Sequence, residues 1–328
     1  MKTLLINASA AKLGGAKTVV EKFINEADFS GYDSIFLLAP SEIIVNRKGV
    51  KHIILSTSGL RTFLFSTFGV MYFALKLRAN TILSFNNINL LIPLCKRITY
   101  FHQFLSLSQK KVFPLAPTLI RWTLKYLTYK TLIVVQTQHV KSNFITRIGK
   151  RNDILICWPG YNSLDNCEKH SLNLEKGVGT KYAFLPITNC SQKHRNFALI
   201  LDKKDFFVSN NIKLVMPNSD YIDSEFIINV DYITKFQMGD FLSKIDFLIF
   251  PSLEETIGLP LYEVTGYGKP ALVLNRPYIE ESPVLEKRKD LIYLFEENNI
   301  EDIYKSMDLN VKHVNDNLNV GDWSFLKE

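Results

Sequence analysis

The sequence predicts an α/β protein built from two doubly wound, parallel-sheet units. Three observations carry this. Short apolar runs alternate with amphipathic stretches along most of the chain, the rhythm of strand, turn, helix and strand. The rhythm breaks once, near Trp158-Pro159-Gly160, where residues 160–180 turn polar and carry three glycines, and then restarts. The length of 328 residues also suits two domains of roughly 150 residues each. The predicted units are residues 1–160 and 161–328, with the last residues free to return to the first. A ligand is expected in the crevice between them, at the carboxyl ends of the strands.

The elements follow in order. Residues 3–7 read as a buried strand, and Gly14-Gly15 as a turn. Val19, Val20, Phe23, Ile24 and Ala27 recur at helical spacing, which predicts a helix over 17–27. Strands follow at 34–39, 52–55, 81–85 and 97–101, with a helix at 60–78 and a β-branched strand at 131–136. After the break, strands are expected at 182–187, 212–217, 226–230, 247–250 and 271–274. Helices are expected at 195–207, 238–245 and 259–267.

Composition excludes several classes. Hydrophobic residues are 47% and charged residues 22%, a balance that rules out general disorder. None of the four cysteines forms a Cys-x-x-Cys pair or stands near His at ligand spacing, which implies free thiols in a reducing cytosol and no metal site. The N-terminal apolar run, Leu4 to Ile6, is too short for a secretion signal. The longest apolar stretch, residues 63–75, falls short of the ~20 residues a spanning helix needs and reads as a core or interfacial helix. The expected location is cytoplasmic, peripheral on the inner face of the membrane.

The net charge of +7 is unevenly placed. Residues 1–165 carry 21 Lys and Arg against 7 Asp and Glu, whereas residues 166–328 carry 18 against 25. A basic half joined to an acidic half points to a polyanionic or membrane partner for the first half alone. Residues 109–131 mix Lys110, Lys111, Arg121, Lys125 and Lys130 with Leu119, Trp122, Tyr126 and Tyr129. That pattern suits either an interfacial helix on anionic lipid or a core-packed helix with a solvated basic face.

The most informative stretch is residues 247–270, FLIFPSLEETIGLPLYEVTGYGKP. A buried strand ends at Pro251, and a helix opens at Leu259-Pro260, where proline is tolerated. Unpaired N–H groups at that N-terminus suit a phosphate. Gly258 removes the side chain that would block close approach. Glu263, one turn in, leans back toward the same ligand and suits a ribose diol.

These residues resemble the Glu-x7-Glu signature of retaining GT-B glycosyltransferases of family 4, with Glu255 and Glu263 at the motif spacing. The resemblance implies the GT-B fold, two Rossmann-like domains facing each other across a cleft. It implies that Glu255 contacts the transferred sugar, that Ile257, Gly258 and Leu259 hold the donor diphosphate, and that Glu263 binds the ribose. Gly14 and Gly15 are similar to the family's N-terminal loop, which approaches donor phosphate and acceptor. His102 and Gln103, in Tyr100-Phe101-His102-Gln103, match a tract that places a His beside the donor sugar. Val135-Gln136-Thr137 resembles the end of the first domain. Lys193 and Arg195 fall in a segment whose cation faces the diphosphate. Pro277 to Ser282 and Leu291 to Phe295 fit the family's last strand and helix. One departure stands out: many relatives carry Gly-Arg where this chain has Leu185-Pro186.

The implied activity is transfer of a hexose-type sugar, with retention, from a UDP- or GDP-linked donor. The acceptor is a saccharide, lipid-linked as in O-antigen, capsule or lipopolysaccharide synthesis. No Asp-x-Asp occurs, so no metal or other cofactor is expected, and the nucleotide-sugar is a substrate. Gly-x-Gly-x-x-Gly and Gly-x4-Gly-Lys-Ser/Thr are also missing, against NAD and ATP sites. Two alternatives remain. One is a non-catalytic nucleotide-sugar-binding partner subunit, suggested by the lost Gly-Arg. The other is a nucleic-acid-binding protein, suggested by the basic half but lacking any recognised binding motif.

Overall fold

The computed structural model describes residues 1–107, 115–150, 152–162, 174, 179–221, 225–310 and 316–327. Lys110, Lys111 and Cys167 lie outside them. The chain divides into two compact units, Met1–Tyr161 with Val320–Glu328, and Asn162–Asn319.

The first unit holds a seven-stranded parallel sheet: β1 (Thr3–Asn7), β2 (Ser34–Ala39), β3 (Val50–Ile54), β4 (Thr81–Ser84), β5 (Lys96–Tyr100), β6 (Leu132–Val135) and β7 (Ile154–Ile156). Their spatial order is β3-β2-β1-β4-β5-β6-β7. Every residue of β1 is buried, as a strand covered on both faces requires. Leu4 and Ile6 pack with Val20 and Phe23 of helix Gly14–Glu26, while Leu5 packs on the opposite face with Val70 and Ala74. The predicted 60–78 helix is real but irregular. Gly59–Leu64, a wide π-type turn at Phe65–Gly69, and Val70–Lys76 run on from one to the next. The extra residue lets two neighbours, Ser66 and Thr67, both turn inward and become fully buried.

The terminal residues close this core. Phe325 stacks on Phe23 at 6.1 Å and Trp323 meets it edge-on at 5.2 Å. The Asp322 N–H donates to the Trp158 carbonyl at 2.6 Å, and the Trp323 indole donates to Glu26.

The second unit holds a six-stranded parallel sheet: β8 (Lys181–Phe184), β9 (Ile212–Pro217), β10 (Ile227–Val230), β11 (Phe247–Phe250), β12 (Ala271–Leu274) and β13 (Ile292–Phe295), in the order β10-β9-β8-β11-β12-β13. The predicted 195–207 helix is broken. Asn196 sits in left-handed backbone and ends a 3-10 turn over Lys193–Arg195, after which Phe197–Asp202 and Lys204–Ser209 are separate helices. In each sheet the first strand lies between partners whose connections leave in opposite directions. The chain therefore parts beyond the carboxyl ends of β1 and β4, and of β8 and β11. No described helix is long and apolar enough to cross a membrane.

Candidate functional site

In the second unit β11 delivers the Glu-x7-Glu segment to the carboxyl edge of the sheet. The loop from Pro251 ends at Gly258, whose φ of 74° is left-handed. A Cβ there would come within 3.0–3.1 Å of the Phe250 ring, so both conformation and space require glycine. Helix Leu259–Gly266 starts at once, with Pro260 in its first turn. Ile257 is buried and packs the loop down, while Leu259 is half-buried.

Glu255 is held from two sides. The Arg195 guanidinium forms an ion pair with its carboxylate. The hydroxyl of Ser252, itself buried, lies near it and favours its charged form. Burial pushes the Glu255 carboxyl up, and Arg195 and Ser252 pull it part of the way back. Arg195 arrives from β8, on the turn whose His194 carbonyl accepts the Leu253 N–H at 2.8 Å. Lys193, on the same turn, is exposed. Arg195 is thus the cation brought to Glu255, and Lys193 is not. Glu263 has no cation paired with it among the described residues, and burial pushes its carboxyl to about 7.

Two residues here were missed from sequence. Ser252 and Tyr278 brace the loop: the buried Tyr278 hydroxyl donates to the Ser252 carbonyl at 3.1 Å. Only a polar residue placed directly after a buried strand signalled Ser252. Tyr278 sits beyond β12, and nothing local marks it.

In the first unit Gly14 and Gly15 are exposed at the start of helix Gly14–Glu26, and Gly14 has a φ of 63°. His102 follows β5. Its N–H donates to Asn87 Oδ1 at 2.7 Å, and its Nδ1 is buried without a partner. Burial pushes the imidazole down to about 4, so it is neutral at pH 7. Gln103 turns its Oε1 to the Ser106 hydroxyl at 3.0 Å. Sequence reading also missed a buried polar cluster beyond β1 and β4. The Asn86 side-chain amide donates to Asn7 Oδ1, Ser9 Oγ and Ser66 Oγ at 3.0–3.1 Å. Ser9 in turn bonds Thr57 at 2.9 Å. Among the described residues no three His, Cys, Asp or Glu side chains converge as a metal cluster.

No family model and no curated protein matches the chain. Solved structures do. Sucrose-phosphate synthase from Thermosynechococcus elongatus aligns at a TM-score of 0.65 and 10% identity, over 93% of this chain and 89% of that one. HepE of Anabaena in complex with UDP-glucose aligns at 0.64 and 11%, over 93% and 89%. WaaG, a glycosyltransferase involved in lipopolysaccharide biosynthesis, aligns at 0.64 and 11%, over 93% and 90%. The fold is GT-B. At this identity the likeness concerns the path of the chain. The second sheet of this GT-B fold carries Arg195, Ser252 and Glu255 at the β8/β11 parting, beside the helix that bears Glu263.

Proposed function

We propose that this protein is a metal-independent glycosyltransferase. It moves a hexose-type sugar, with retention, from a UDP- or GDP-linked donor to a lipid-linked saccharide in bacterial surface-polysaccharide synthesis. One observation supports this above the others: the pairing of Arg195 with Glu255 next to the Gly258 turn and the helix that follows it. A cation, a carboxylate and the positive end of a helix lie together there, as a sugar diphosphate needs. UDP-glucose bound to HepE, of the same fold, supports the donor class.

In the reaction the bond from the anomeric carbon to the diphosphate oxygen breaks, and its electron pair leaves with the nucleoside diphosphate. The acceptor oxygen bonds to the same carbon and passes its proton to the departing diphosphate oxygen. Arg195 and the helix N-terminus neutralise the departing charge. Glu255, fixed by Arg195 and Ser252, orients the sugar and steadies positive charge at the anomeric carbon. Glu263 accepts from the ribose hydroxyls. The neutral His102 serves as a hydrogen-bonding group rather than a cation.

A thermal-shift panel of UDP-, GDP-, ADP- and dTDP-sugars tests the reading. A hundredfold excess of the right donor over its Kd stabilises by about 2.7 kcal/mol, a rise of several degrees. Glu263→Ala is expected to abolish that rise. Glu255→Ala is expected to keep it and to lower kcat by about a hundredfold or more. No shift with any nucleotide sugar would overturn the proposal. A shift without transfer would favour the non-catalytic binder that Leu185-Pro186 suggests.

A further inference from the structure

We propose that the outward face of the helix over residues 59–76 docks the protein onto the surface of an anionic lipid bilayer. Leu60, Leu64, Phe68, Tyr72 and Leu75 recur three or four residues apart and are 50–60% exposed. They form one apolar stripe. The opposite face is already used: Val70 and Ala74 pack under the sheet, and Phe63 packs against the apolar cluster that holds Phe101 and Leu124. A helix apolar on both sides needs a cover for the second. The neighbouring helix Leu115–Tyr126 packs against the first turns of this one and adds Trp122 and Tyr126, each more than half exposed.

Charge selects the cover. Between Glu42 and Asp153 there is no Asp or Glu, while 17 Lys and Arg occur. A second copy of this chain would set one cationic face against another, at a Coulombic cost. Anionic headgroups would be attracted at the exposed cations of these two helices, Arg61, Lys76 and Lys125. The aromatic–cation pairing suits the same interface. The Lys76 ammonium lies 5.5 Å above the Tyr72 ring and donates to its hydroxyl at 3.3 Å, and Lys125 lies 5.4 Å above the Tyr126 ring. Such rings sit at headgroup depth with the charge kept in water. The stripe is about 22 Å long at 1.5 Å per residue, so it lies in the interface plane and does not span.

The same helix turns Ser66 inward onto Asn86. The membrane would therefore lie one helix diameter from the polar cluster beyond β1 and β4, close enough to hand a lipid-borne substrate to it. Docking itself needs neither donor nor acceptor, so it stands or falls separately from the transfer reading.

Vesicle flotation tests it. The full chain is expected to float with phosphatidylcholine vesicles that contain phosphatidylglycerol, more weakly at high salt, and poorly with phosphatidylcholine alone. Phe68→Glu combined with Tyr72→Glu is expected to cut partitioning at least tenfold, since two exposed rings lose their burial in the interface. The melting temperature should fall by a few degrees at most, because both side chains are already half or more exposed. Leu64→Gln with Leu75→Gln gives an independent pair with the same expected loss. Wild-type protein that stays at the bottom of the gradient would overturn the proposal. So would variants that float like wild type, or a dimer in light scattering that the same substitutions dissociate.

Discussion

Glu263 shows most directly how one residue's surroundings set its chemistry. It is half-buried, no cation pairs with it among the described residues, and desolvation pushes its carboxyl to about 7. Between the ordinary glutamate value of 4.5 and about 7, the folded protein holds a proton that the unfolded chain releases. Stability therefore falls as pH rises through that window. Glu263→Gln removes the penalty: the variant should melt with wild type below about pH 4.5 and several degrees above it beyond about pH 8. Equal melting temperatures at both ends would show that Glu263 is solvated. Glu255 differs although it too is pushed up, because Arg195 and Ser252 share its charge. The two carboxylates of one motif are thus placed for different work, one locked in position and one awaiting a partner.

At the scale of elements, helix Leu259–Gly266 must hold its N-terminus still, and a buried clamp fixes its far end. Arg288 donates to both Asp316 oxygens at 2.6 and 2.9 Å, to the Tyr262 carbonyl at 2.7 Å and to Thr265 Oγ1 at 2.9 Å. Its side chain is 1% exposed. Removing one partner strands a buried charge, so Asp316→Ala should cost about 3–5 kcal/mol in denaturant unfolding. Arg288→Met, which removes the charge with the contacts, should cost less. The reverse ranking would mean that packing outweighs charge here. The irregular 59–76 helix follows a related logic: its wide turn buries Ser66 against the polar cluster and Thr67 against the Phe63 carbonyl, to which its hydroxyl donates at 2.7 Å, while Phe68 stays half exposed.

For the whole molecule, the final residues complete a core begun by the first strand. Trp323 and Phe325 cover Phe23 and Tyr100, more than 200 residues away in sequence. Deleting residues 320–328 removes two large buried aromatics, each worth about 3–5 kcal/mol. One calorimetric transition should then fall by roughly 10 °C or more, while that of Asn162–Asn319 stays in place. A uniform shift of both would show that the two units melt as one.

How much could be read in advance depended on sequence distance. Periodicity and turn residues are local, so the strands, most helices, the break near residue 160 and the Glu255–Glu263 segment were legible along the chain. Backbone preference and side-chain spacing act over a few residues, so each short stretch of chain carries them on its own. The choice between Lys193 and Arg195 was not legible, because the distance from either to Glu255 is set by β8 and β11 lying side by side. The Asn86 cluster was hidden for the same reason, since it exists only where β1 meets β4. The apolar run at 63–75 announced a helix but not which side faces outward, because both sides are apolar. Only tertiary structure decided those points: sheet order brings distant polar side chains to one edge, and packing leaves one helix face uncovered.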